Sequence, residues 1–218
     1  MWVKFCGLTS VEAVRSLSSL QPDALGLNFY DRSVRCVSVQ LAQEMTEAIP
    51  PSIAKVGVFV NQIPDEVVRH VSEVGLDVAQ FHGDESPELL LAFRERLPDT
   101  KVIKAARMTP SFEDDFPDYL AECDKLDCRP DYCLIDAHVK GEYGGTGATL
   151  EWSRLAEIDR AGWPPLILAG GLVPENLAEA IATVRPFGVD VAGGIEASPG
   201  VKNFDRARRF MNHCERRD

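Results

Sequence analysis

Leu166-Ile167-Leu168-Ala169-Gly170-Gly171 and Val189-Asp190-Val191-Ala192-Gly193-Gly194 decide the fold. Each is a short apolar run ending on a glycine pair, and a helical pattern, Glu175–Val184, lies between them. Continuously apolar runs of this length suit strands of a parallel sheet covered on both faces. Outward from this unit the same rhythm recurs to the N-terminus. Runs at Trp2–Cys6, Ala24–Phe29, Ala54–Val60, Leu76–Phe81, Lys101–Ala106 and Tyr132–Asp136 predict six more strands, with the last two at Leu166–Ala169 and Val189–Ala192.

Helical patterns fill the intervals. Val11–Leu20 follows Thr9, which with Glu12 reads as a capping box, and Val39–Ala48 follows Ser38. Asp65–Val74 follows Pro64, and Glu88–Leu97 follows Ser86-Pro87, a cap with proline at the first helical position. The long acidic interval Arg107–Asp131 predicts a helix around Asp115–Asp124 plus a loop. Leu150–Ile158 and Phe204–Cys214 complete the set. Eight even repeats favour closure into a single (β/α)8 barrel over an open doubly wound sheet. The 218 residues fit one such domain, residues 1–218, and no linker or low-complexity tract interrupts them.

Charge narrows the partners. With 34 acidic against 23 basic side chains the net charge is −11, which argues against a nucleic-acid or anionic-membrane partner. An anionic ligand meets a repelling long-range field and must be held by local groups such as backbone N–H clusters. No run approaches the roughly 18 apolar residues of a spanning helix, and the N-terminus has no secretory pattern. Six scattered cysteines in a chain this large suggest a reducing, cytoplasmic compartment. Cys123, Cys128 and Cys133 lack metal-ligand spacing, so no metal is expected.

In a barrel of this kind the chemistry stands at the C-terminal ends of the strands. Glycines after strands seven and eight let backbone N–H groups approach a phosphate, which makes Gly170, Gly171, Gly193 and Gly194 candidates. Tight turns needing positive φ would use the same glycines. Gly144-Gly145-Thr146-Gly147, beyond strand six, is a glycine run able to order over a ligand, with Gly145 and Gly147 as further phosphate contacts. Asp136 emerges from the apolar strand Leu134-Ile135-Asp136, where desolvation favours a neutral acid able to donate a proton. Cys6, at the end of strand one, would alone read as a buried thiol. Paired with Asp136 above an anchored phosphate, it completes an acid–base couple suited to isomerisation. Gln80 and His82 alternate on strand four toward one side, Asp190 lies on strand eight, and Arg35 follows strand two, where it can clamp a carboxylate.

Lys4-Phe5-Cys6-Gly7-Leu8-Thr9 resembles the opening motif of the phosphoribosylanthranilate isomerases of tryptophan biosynthesis. Similar matches follow in order at Gly57-Val58-Phe59-Val60-Asn61-Gln62, Gln80-Phe81-His82-Gly83-Asp84-Glu85, Asp136 with Gly144–Gly147, Gly170–Asn176 and Val189–Lys202. The resemblance implies a cofactor-free Amadori rearrangement of N-(5-phosphoribosyl)anthranilate, a small-molecule substrate, by a monomer or homodimer. It assigns Asp136 as general acid, Cys6 as general base, and Arg35 to the anthranilate carboxylate. The chain departs from the family pattern in three places. Val34 and Cys36 flank Arg35 where the family carries proline and an aromatic residue, so the loop is expected to be less stiff. Ala192-Gly193 replaces serines, shifting phosphate binding toward backbone N–H groups, and Arg107–Asp131 is longer than usual. A non-catalytic sugar-phosphate-binding barrel is the competing reading, and the presence of both Cys6 and Asp136 weighs against it.

Overall fold

The computed structural model describes residues 1–136 and 147–214. Eight parallel strands close into a barrel in chain order. They are β1 (Trp2–Cys6), β2 (Ala24–Asn28), β3 (Ala54–Phe59), β4 (Val78–Phe81), β5 (Lys101–Arg107), β6 (Tyr132–Asp136), β7 (Leu166–Ala169) and β8 (Gly188–Val191). Closure runs through β1 and β8, from Trp2 opposite Gly188 to Phe5 opposite Val191. Side chains alternate across each strand. One set, including Ala24, Val56, Val78, Ile103, Ala105, Leu134, Ile167 and Ala169, packs inside the barrel. The other, with Val3, Phe5, Leu25, Phe59 and Phe81, packs outward against the helices in a larger core. Continuous apolar runs satisfy both faces at once.

The helices are α1 (Val11–Ser18), α2 (Val39–Glu47), α3 (Pro64–Val74), α4 (Pro87–Arg94), α5 (Phe112–Lys125), α6 (Gly147–Glu157), α7 (Leu177–Val184) and α8 (Phe204–Cys214). The cap of α1 is Ser10, whose Oγ accepts from Ala13 N at 3.1 Å, and not Thr9. Thr9 instead donates to Gly200 O at 2.7 Å, tying the first loop to the end of the chain. Ser38 caps α2 as expected, accepting from Leu41 N at 3.2 Å. Helix α5 extends well beyond the expected span. Phe112, Phe116, Leu120 and Cys123 form one buried stripe at helical spacing, and that burial carries the helix through Pro117. Helix α7 starts two residues late because Asn176 holds the preceding turn. Its Oδ1 accepts from Val173 N at 2.9 Å, and its Nδ2 donates to Gly171 O at 3.0 Å.

Beyond β8 the chain makes a 3-10 turn, Gly193–Ile195, and a small antiparallel hairpin, β9 (Glu196–Ser198) with β10 (Val201–Lys202). The strand periodicity gave no sign of this hairpin, whose strands are three and two residues long.

Candidate active site

At the C-terminal mouth of the barrel lies a cavity of about 670 Å³. Its wall brings together Cys6 from β1, Arg35 from the loop after β2, His82 after β4, Asp136 from β6 and Asp190 from β8. Gly170, Gly171, Gly193 and Gly194 close the side formed by β7 and β8. Of the remaining candidates, Gly147 is the first residue of α6, and Gly145 lies outside the described residues.

Strand alternation explains the floor. Trp2, Lys4 and Cys6 share the inward face of β1, so Lys4 points into the barrel one step below the thiol. Lys4 is fully buried, and its Nζ donates to Asp190 Oδ1 at 3.0 Å. Burial lowers the Lys4 pKa, but Asp190 and Cys6 outweigh it and hold it above the ordinary lysine value. Burial pushes the Cys6 thiol up, and the Lys4 ammonium is the largest influence pulling it back. Composition and motif spacing passed over Lys4. Its signal was a lysine inside an apolar strand at the same parity as Cys6.

His82 lines the same cavity as Asp136. Gln80 Nε2 lies 2.8 Å from His82 Nδ1. With the amide nitrogen donating there, Nδ1 accepts and the imidazole proton is on Nε2. Burial, then Lys4, lowers the His82 pKa, so the ring is neutral near pH 7. Gln80, expected as a ligand contact, is fully buried and does not line the cavity; it touches the wall through His82. The loop carrying His82 is pinned from below. Buried Glu85 accepts from the N–H groups of Asn61 and Gly83 at 2.9 Å and pairs with Lys104 Nζ at 2.9 Å.

Arg35 is held without the usual proline. Its Nε and Nη2 donate to the two Glu196 oxygens, each at 2.7 Å, a bidentate clamp that replaces loop stiffness. Lys202 donates to the same carboxylate at 2.8 Å and to Ala192 O at 3.0 Å. Burial opposes the Glu196 charge, but Arg35 and Lys202 outweigh it and keep its pKa below the usual carboxylate range. The bare Cα of Gly7, with φ +71°, leaves room for the Arg35 side chain. Thus the hairpin after β8 orders the loop after β2.

The glycine pairs differ in kind. Gly170 and Gly171 both take positive φ, 88° and 64°, a conformation that side chains strain. Gly194 is required by packing, since a Cβ there would strike the Leu172 carbonyl. The backbones of the two loops therefore meet closely at Gly194. Cys123, Cys128 and Cys133 are core residues, and among the described residues no cluster of three metal-ligating side chains occurs.

A closed parallel barrel whose mouth gathers a thiol, a carboxylate, a neutral imidazole and two glycine loops defines an enzyme of the (β/α)8-barrel class. Residues 3–213 match the family described as N-(5'phosphoribosyl)anthranilate (PRA) isomerase. The N-(5'-phosphoribosyl)anthranilate isomerase of Rubrobacter xylanophilus is 40% identical over 96% of this chain and 97% of its own length. Its counterpart in Pseudomonas aeruginosa PAO1 is 40% identical over 99% and 97%. The crystal structure of phosphoribosyl anthranilate isomerase from Thermotoga maritima superposes with a TM-score of 0.84 at 37% identity, covering 99% of this chain and 98% of that one. A second structure of such an isomerase, in complex with reduced 1-(o-carboxyphenylamino)-1-deoxyribulose 5-phosphate, gives 0.81 at 33% identity, covering 99% and 98%. The chain belongs to the phosphoribosylanthranilate isomerase family and is an aldose–ketose isomerase of tryptophan biosynthesis.

Proposed function

We propose that this chain, working as one cytoplasmic domain over residues 1–218, converts N-(5-phosphoribosyl)anthranilate into 1-(2-carboxyphenylamino)-1-deoxyribulose 5-phosphate, with Asp136 as general acid and Cys6 as general base. The observation that carries the reading is the placing of both groups on the wall of one cavity that the glycine loops of β7 and β8 complete. Six free cysteines fit a reducing compartment.

The phosphate takes the β7–β8 side, where Gly170, Gly171, Gly193 and Gly194 offer backbone N–H groups. That places the sugar across the mouth, between β1 and β6. Asp136 gives its proton to the furanose oxygen as the C1–O bond breaks, and the anilino nitrogen lone pair forms the Schiff base. The Cys6 thiolate takes the proton from C2, and the C–H pair becomes the C1=C2 bond of an enolamine. Transfer of the C2 hydroxyl proton to C1 yields the ketone, with no net gain or loss of electrons. Neutral His82 offers its Nε2–H to the sugar, and Arg35 directs its remaining donors to the anthranilate carboxylate. No step calls on a metal, so EDTA should leave the rate unchanged.

Loss of phosphoribosylanthranilate fluorescence, followed with purified protein, tests the activity. Cys6→Ser and Asp136→Asn should each cut turnover about 10²-fold or more while the folded spectrum persists. Parental turnover by either folded variant removes that residue from the mechanism.

A further inference from the structure

Cys6 is a poor base where it stands unless something opposes its burial, for only the thiolate can take a proton. The floor beneath it supplies that group. Cys6 pairs in register with Gly26 of β2. A Cβ on Gly26 would lie 2.9 Å from the Cys6 Sγ and 3.0 Å from Lys4 Cε, so the thiol and the lysine chain share the space that this glycine leaves. Asp190, across the β1–β8 seam and in register with Lys4, anchors the ammonium at 3.0 Å.

We propose that Lys4 is the positioning residue of the base: its ammonium, anchored by Asp190, stabilises the Cys6 thiolate at the floor of the cavity. The inference rests on the reading of Cys6 as general base. Among the described residues, four charged groups act on the thiol. Lys4 lies on its own strand, Asp190 on β8, Lys202 on β10 and Arg35 in the loop after β2. Lys4 outweighs Lys202 as a stabiliser of the thiolate, and Asp190 acts against it. Asp190 is nonetheless required, because an unpaired buried ammonium would lose its proton and with it the effect.

The test is the pH dependence of Cys6 alkylation by iodoacetamide, read by mass spectrometry of the Cys6 peptide in the absence of substrate. The parent is compared with Lys4→Met and with the doubly neutral Lys4→Met/Asp190→Asn, which leaves no buried charge unpaired should the single variant fail to fold. The alkylation midpoint should move up by about one pH unit or more in Lys4→Met, and by a smaller but still upward step in the double variant, where the opposing Asp190 charge is gone too. kcat/KM at pH 7 should fall about tenfold, recovering as the pH is raised. An unmoved midpoint in a folded variant overturns the proposal. Because alkylation needs no turnover, an active Cys6→Ser enzyme would refute the base assignment while leaving the Lys4–Cys6 coupling standing.

Discussion

Alanine at Gly194 should damage the site, and alanine at the adjacent Gly193 should not. Neither position has a positive φ, so the backbone conformation admits a side chain at both. The difference is steric. A Cβ on Gly194 would come within 2.9 Å of the Leu172 carbonyl carbon and far closer to its oxygen, so the loops after β7 and β8 must part by roughly 1 Å. At Gly193 the nearest heavy atom is Arg35 Nη2 at 3.7 Å, an ordinary contact. Forcing a methyl into a packed site costs about 1–3 kcal/mol, and here the obstacle is backbone that cannot rotate away. A displacement of this size at a ligand-positioning loop can cost about 10²-fold in rate. Gly194→Ala should therefore lower kcat/KM by about 10²-fold, weaken inhibition by inorganic phosphate in parallel, and lower urea stability by about 1–3 kcal/mol. Gly193→Ala should stay within about 0.5 kcal/mol of the parent. Steady-state fluorescence kinetics, phosphate inhibition and urea titration on the matched pair decide the matter. Parental kinetics and stability in Gly194→Ala would refute the rigid two-loop site. A loss of rate with unchanged phosphate inhibition would place the phosphate elsewhere.

Other outcomes follow from the buried pairs and thiols. Lys104→Met leaves the buried Glu85 carboxylate without its cation and should cost about 3 kcal/mol or more in urea titration, because breaking one side of such a pair strands a charge. Glu196→Gln removes one side of the Arg35 clamp and should raise KM about tenfold with little change in kcat, as read from steady-state kinetics. Burial pushes the Cys133 pKa from 9.0 up to about 12, so its contribution to stability is full below about pH 9 and declines as the pH rises toward 12. The unfolded chain releases that proton first, so the decline should be about 1.4 kcal/mol per pH unit, and urea titrations of Cys133→Ala from pH 8 to 11 should show a slope smaller by one proton.

The barrel was legible because its strands are buried on both faces, which writes them as uninterrupted apolar runs. Leu166–Ala169 and Tyr132–Asp136 are observed with the bounds the sequence implies. Helix ends were less legible, because two neighbouring residues often compete for one cap. Thr9 and Ser10 both suit the role, and the hydrogen bond from Thr9 to Gly200 settles it through a residue 191 positions away. The hairpin after β8 was invisible for a related reason. Its strands are too short to show a period, and Glu196 acquires meaning only through Arg35 and Lys202.

The site divides along the same line. Single residues at strand ends can be recognised one at a time, because a barrel presents every such end at one mouth. Pairings cannot, because they join strands far apart in the chain. Arg35 without its proline looked loosely held, yet the clamp that holds it comes from the far side of the β1–β8 seam. Lys4 looked like an oddity in an apolar strand, and its partner Asp190 lies 186 residues on. Both ion pairs bridge the seam that closes the barrel. A burial-raised thiol, a lysine that keeps its charge and an arginine held in place all depend on that seam. Perturbing it at Asp190 or Glu196 should therefore alter the chemistry at Cys6 and Arg35 before it unfolds the barrel, an order that activity and urea titration on the same variants can establish.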